Sequence, residues 1–129
     1  MAEQKLILIV DDEPAFREVF SVKLAAEGFR VETAENGQVG VEKAKAVKPD
    51  LILMDVKMPV MDGATALLKL REDPETKNIK VFFLSSIGDS RVEMEEMHGR
   101  ISAEFGAQGY LRKTDDIDRL GDEIKKFLA

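Results

Sequence analysis

The sequence predicts an α/β domain: five strands forming a parallel sheet with helices packed on both faces. Three observations carry this. Short aliphatic runs alternate with amphipathic stretches of helical period along the whole chain. Several of the runs are apolar at every position, as strands buried on both faces require. Proline, glycine and aspartate fall where helices should begin or end. Such an alternation builds a parallel sheet covered on two sides.

Leu6 to Val10 is the first run, and Pro14 follows at a position suited to a first helical turn. Phe16, Val19, Phe20 and Leu24 recur at helical spacing until Gly28. Arg30 to Ala34 reads as a second strand and Gln38 to Val47 as a second helix, closed by Lys48-Pro49. Leu51 to Met54 is another doubly buried strand. Asp62 can cap a third helix carrying Leu67, Leu68 and Arg71, which stops before Asp73-Pro74. Ile79 to Leu84 is the fourth strand. A fourth helix is expected from about Ser90 to Phe105, with Met94, Met97, Ile101 and Phe105 on one face. Gly109 to Leu111 is the last strand. The last helix starts near Asp115 and carries Ile117, Leu120, Ile124, Phe127 and Leu128.

Composition narrows the functional classes. The 129 residues suit one domain spanning 1–129, with 44% hydrophobic residues for a core and 34% charged residues for a solvated surface. A net charge of -6 disfavours direct contact with nucleic acid or anionic membranes. Without cysteine there is no disulfide or thiolate chemistry, and one histidine makes no zinc cluster. Leu6–Val10 is too short for a signal or membrane segment, so a cytoplasmic location is expected.

In a sheet of this kind the ligand site lies beyond the carboxyl ends of the strands. Right-handed crossovers bring the entry loops of the helices to that one edge. Chemistry is therefore expected just after Val10, Met54, Leu84 and Leu111. Those positions hold Asp11, Asp12 and Glu13, then Asp55, then Ser85 and Ser86, and finally Lys113. Clustered carboxylates raise one another's pKa unless a cation neutralises them. Few hard oxygen ligands suit Mg2+, which keeps water and favours phosphate oxygens. A carboxylate beside such a metal can attack phosphorus and form an acyl phosphate. The metal, a lysine and a hydroxyl would stabilise the phosphoryl charge. Taken singly, Asp11-Asp12 could cap the first helix, Asp55 could be a turn residue, and Lys113 could be a solvated lysine. The coincidence of all four strand ends favours the chemical reading.

Ile9-Val10-Asp11-Asp12-Glu13-Pro14, Asp50 to Asp55, Met58-Pro59-Val60-Met61-Asp62-Gly63, Leu84-Ser85-Ser86 and Gly109 to Lys113 together resemble the receiver domains of bacterial two-component response regulators, the chemotaxis regulator among them. The resemblance covers essentially the whole chain. It implies the flavodoxin-like strand order 2-1-3-4-5. It implies that Asp55 accepts a phosphoryl group from a sensor histidine kinase, a phosphotransfer protein or a small phosphodonor. Asp12, Asp55 and the backbone carbonyl of Lys57 match the direct Mg2+ ligands, and Asp11 the second acid, reaching the metal through water. Lys113 matches the lysine that pairs with the phosphoryl oxygens. Ser85 matches the switch hydroxyl and Tyr110 the aromatic whose rotamer follows it. The surface of the fourth helix, last strand and last helix matches the face that meets a downstream protein target.

Several positions depart from the family pattern. Thr114 stands where proline is usual, which disfavours a cis peptide after Lys113. The segment between Ser85 and Lys113 is longer than usual, so its methionines are expected either as core or as an altered partner surface. His98 within it reads as a surface residue. Lys57 and Ile87 flank the expected phosphate position and would tune phosphoryl lifetime.

An aspartyl phosphatase would need an acid two residues after the nucleophile, where Lys57 stands. A flavin phosphate would be repelled by Asp11-Asp12-Glu13, and no phosphate-binding glycine motif of nucleotide hydrolases is present. A signalling switch is therefore expected, not an enzyme with a separate substrate. The rival within the fold is a pseudo-receiver that works by protein contact without phosphorylation. No output domain follows Ala129, so either a stand-alone regulator or an excised receiver is expected.

Overall fold

A computed structural model describes residues 4–85, 108–113 and 117–128. The order of elements is β1 (Leu6–Val10), α1 (Pro14–Ala26), β2 (Arg30–Ala34), α2 (Gly37–Val47), β3 (Leu51–Asp55), α3 (Gly63–Glu72), β4 (Lys80–Ser85), β5 (Gly109–Arg112) and α4 (Ile117–Leu128). The helix labelled α4 is the last helix of the sequence reading. The helix expected over 90–105, with Met94, Met97 and His98, lies outside the described residues, as do Ile87 and Thr114.

All strand pairs are parallel, in the order β2-β1-β3-β4-β5. Alternating residues of each strand therefore serve two cores. Leu8, Val10, Ile52, Met54, Val81 and Phe83 face Ala44 of α2 and Ala66, Leu67 and Leu70 of α3. Ile7, Ile9, Leu51, Leu53, Leu84 and Leu111 face Phe20 and Leu24 of α1 and Leu120 and Ile124 of α4. Each fully buried side chain of this size contributes roughly 1.5–3 kcal/mol of transfer free energy. This double burial is why β1 and β3 are apolar without alternation. The edge strand β2 alternates exposed and half-buried residues instead.

Helix boundaries follow from capping. α1 ends in paired bonds from Gly28 N–H to Ala25 O (3.0 Å) and from Phe29 N–H to Leu24 O (3.1 Å). That closure needs the left-handed φ of 99° that Gly28 adopts. Asn36 caps α2 by accepting from Val39 N–H at 2.9 Å, so the helix begins at Gly37, one residue earlier than hydropathy suggests. Asp62 caps α3 as expected, accepting from Thr65 N–H at 2.8 Å.

The strands reach one residue further toward the site than their apolar runs. β3 includes Asp55, paired with Leu84, and β4 includes Ser85, paired with Arg112. Backbone pairing continues where hydropathy stops. Asp55 and Ser85 are consequently the last residues of their strands.

Candidate functional site

Because β1, β3, β4 and β5 run parallel, their carboxyl ends open onto one edge of the sheet. Asp11 follows β1 and extends its pairing through Asp11 N–H to Ala34 O at 3.0 Å. Its backbone carbonyl accepts from Arg17 Nη1 at 2.6 Å, and its Oδ1 accepts from Glu13 N–H at 2.8 Å. This binding holds a fully buried carboxylate in place. Asp12, next along the chain, is exposed. Asp55, at the tip of β3, retains only 3% of its accessible surface.

One oxygen from each of Asp11, Asp12 and Asp55 lies within 4.8 Å of the others. Three carboxylates this close form a hard oxygen donor set of the kind a divalent cation takes. Capping does not account for the acidic pair, because the N-cap of α1 is Glu13 and its side chain makes no cap bond. Pro14 occupies the first helical turn and needs no partner for an N–H.

Lys113 enters from the end of β5, its backbone N–H donating to Ser85 O at 2.8 Å. The ammonium lies 2.8 Å from Asp11 Oδ2 and 3.7 Å from Asp55 Oδ2. Asp11 Oδ2 makes this ion pair without a well-aligned hydrogen bond, so it keeps lone-pair capacity for another cation. Lys113 Nζ also donates to Glu13 Oε1 and sits 4.8 Å from the centroid of the Phe16 ring.

The electrostatics follow from this crowding. Burial pushes the Asp55 carboxyl up to about 8, reinforced by the Asp11 charge and by the hydrogen bond and charge of Asp12, with Lys113 pulling the other way. Burial likewise raises Asp11, opposed by Lys113 and the Glu13 N–H. Burial alone would lower the Lys113 ammonium, but the Asp11 and Glu13 carboxylates beside it, with the Asp55 charge, overcome that and raise it. Burial thus disfavours the ionised forms of Asp11 and Asp55, and the Lys113 ammonium offsets this only in part.

The β3–α3 connection closes beneath this pocket. Val56 N–H donates to Leu84 O at 3.1 Å and Gly63 N–H to Val56 O at 2.9 Å. A Cβ at Gly63 would run into the Asp55 carbonyl and come within 3.1 Å of the Phe83 ring, so only glycine lets the loop return this tightly. Val60, at the tip of the loop, is 82% exposed and adopts a φ of 71°.

The expected residues therefore divide into four groups. Asp11, Asp12, Asp55 and Lys113 are brought together. Ser85 is buried at the same edge and bound through its carbonyl to Lys113. Lys57 is exposed two residues past Asp55. Tyr110 pairs with Phe83 through β5, but its side chain lies outside the described residues. Sequence reading missed the contacts of Glu13 and Phe16 with Lys113. The acidic run marked Glu13, but nothing in local spacing joins residues 100 apart.

A family model for the response regulator receiver domain matches residues 7–125. The chain is 32% identical over 122 residues to the DNA-binding dual master transcriptional regulator RpaA of Synechocystis, a match covering 95% of this chain and 48% of that protein. This chain thus spans about half the length of RpaA. It is 34% identical over 122 residues to sporulation initiation phosphotransferase F of Bacillus subtilis, covering 95% of this chain and 92% of that protein. Its fold superimposes on the Vibrio cholerae chemotaxis protein CheY4 with a TM-score of 0.83 at 27% identity, covering 96% and 98% of the two chains.

Proposed function

Starting from the chain's membership of the response regulator receiver family, we propose that it is a phosphorylation switch whose Asp55 accepts a phosphoryl group. Receiver domains are the signalling switches of two-component systems and work with histidine kinases or phosphotransfer proteins and with downstream targets. The single observation carrying the proposal is the grouping of Asp11, Asp12 and Asp55 within 4.8 Å, with the Lys113 ammonium 3.7 Å from Asp55.

In the transfer, an ionised Asp55 oxygen attacks the phosphorus of a phosphohistidine or of acetyl phosphate. The bond from phosphorus to the leaving nitrogen or oxygen breaks, and its electron pair departs with the leaving group. The product is an acyl phosphate on Asp55. Asp12, Asp55 and the Lys57 carbonyl would hold Mg2+ directly, and Asp11 through water. The ion, when bound, neutralises charge on the pocket carboxylates and phosphoryl oxygens. Lys113 supplies a second cation to those oxygens, so the pocket assists its own phosphorylation and hydrolysis.

Phosphorylation brings about one and a half to two negative charges to the strand edge. The Ser85 hydroxyl turns toward that charge and Tyr110 follows, biasing the face made by β5, α4 and the helix expected before β5 toward a downstream protein target. The whole of residues 1–129 acts as one receiver in the cytoplasm, without direct contact with nucleic acid or membrane. Among the described residues no helix is long and apolar enough to cross a membrane.

The test is incubation with Mg2+ and acetyl phosphate followed by a phosphate-affinity gel. A retarded band in the wild type, lost with chelator and in Asp55→Asn, supports the switch. A chain that stays unmodified with every donor and metal tried acts as a pseudo-receiver, through contact alone.

A further inference from the structure

We propose that Glu13 is a positioning residue: it holds the Lys113 ammonium on the first turn of α1 and so competes with a phosphoryl group on Asp55 for that cation. The inference rests on the phosphoacceptor reading above and deepens it.

The geometry of Lys113 carries the argument. An ammonium has three donors and no acceptor. Here Lys113 Nζ donates to Glu13 Oε1, lies 2.8 Å from Asp11 Oδ2, and leans over the Phe16 ring at 4.8 Å. Asp55 Oδ2, at 3.7 Å, is beyond hydrogen-bond range. The cation therefore rests on the α1 side of the pocket, away from the carboxylate that takes the phosphoryl group.

The two acids holding it differ in kind. Asp11 is fully buried, and its other oxygen is tied to the Glu13 N–H, so it stays where it is. The Glu13 side chain is 58% exposed and makes no cap bond to its own helix. On release it regains water, whereas Asp11 cannot. When a phosphoryl group arrives with its greater charge, Glu13 is the partner that lets go. Breaking that contact is a cost borne only by the phosphorylated state. An ion pair with one exposed member shifts an equilibrium about two- to fivefold.

The experiment uses beryllofluoride with Mg2+ as a phosphoryl analogue, its affinity followed by NMR chemical shifts in the full chain. Three proteins are compared: wild type, Glu13→Gln and Glu13→Asp. The expected result is binding about two- to fivefold tighter in Glu13→Gln. Glu13→Asp keeps the charge but shortens the reach to Lys113, so it should tighten binding to a similar degree. Unchanged or weaker binding in Glu13→Gln overturns the proposal. So does an Asp variant that behaves like wild type, because that pattern belongs to the general field of a carboxylate and not to its contact. A wild type with no Mg2+-dependent binding that Asp55→Asn abolishes would instead remove the phosphoacceptor reading beneath it.

Discussion

Lys113 and Asp11 form an ion pair at 2.8 Å that joins the end of β5 to the end of β1 across two intervening strands. The lysine side chain is 6% exposed and the aspartate fully buried, so neither charge has much water to fall back on. Removing one partner of such a pair leaves the other uncompensated.

Lys113→Met should therefore destabilise the metal-free protein by roughly 3 kcal/mol at pH 8.5, read by urea denaturation. The loss should shrink at pH 5. Lys113 lowers the pKa of both Asp11 and Asp55, so its removal raises them further and lets protons neutralise the orphaned acids. An equal loss at both pH values would contradict this electrostatic account of the pair.

The pocket also sets a pH dependence for the metal. Asp55 is raised from 3.8 to about 8, so its contribution to stability is fully present below 3.8 and is lost as pH rises through about 8. At the proposed site Mg2+ would take the ionised form and displace the proton. Apparent Mg2+ affinity should rise by up to about tenfold per pH unit until pH 8 and level off above it. Calorimetric titrations at pH 6.5, 7.5 and 9 check this; a flat profile would show that Asp55 is already ionised without metal.

Val60 carries a β-branched side chain at a φ of 71° with 82% exposure, so it has left-handed strain with little burial to offset it. Asparagine tolerates that conformation at lower cost. Val60→Asn should stabilise the chain by about 1 kcal/mol in urea denaturation. A destabilised variant would mean that the valine makes apolar contacts worth more than its strain.

Gly63 has the opposite constraint. A methyl group there meets the Asp55 carbonyl, the Phe83 ring at 3.1 Å and Met54 Cγ at 3.2 Å. Gly63→Ala should cost about 1–3 kcal/mol and shift the amide resonances of Asp55 and Val56. Unchanged stability would show that the loop moves away freely.

Much of this was readable from the chain because double burial leaves a direct mark. Leu6–Val10 and Leu51–Met54 are apolar throughout, and their ends place Asp11 and Asp55 at one edge. The family motif then supplied the strand order, which apolar periodicity does not encode. Strand ends were less legible, because Asp55, Ser85 and Arg112 pair through backbone that hydropathy does not register. The unequal burial of Asp11 and Asp12 was also hidden, since both lie past the end of β1, where strand alternation no longer says which side chain turns inward. The hold of Glu13 on Lys113 depends on where the fold brings β5 past α1, which no local pattern records.

The central claim is a covalent bond at one carboxylate, and chemical trapping tests it most directly. The chain would be treated with acetyl phosphate and Mg2+, reduced with borohydride and mapped by peptide mass spectrometry. Reduction of an aspartyl phosphate leaves homoserine, and the account predicts homoserine at position 55 alone. Homoserine at another aspartate, or none in a protein shown to be folded and Mg2+-bound, would contradict it.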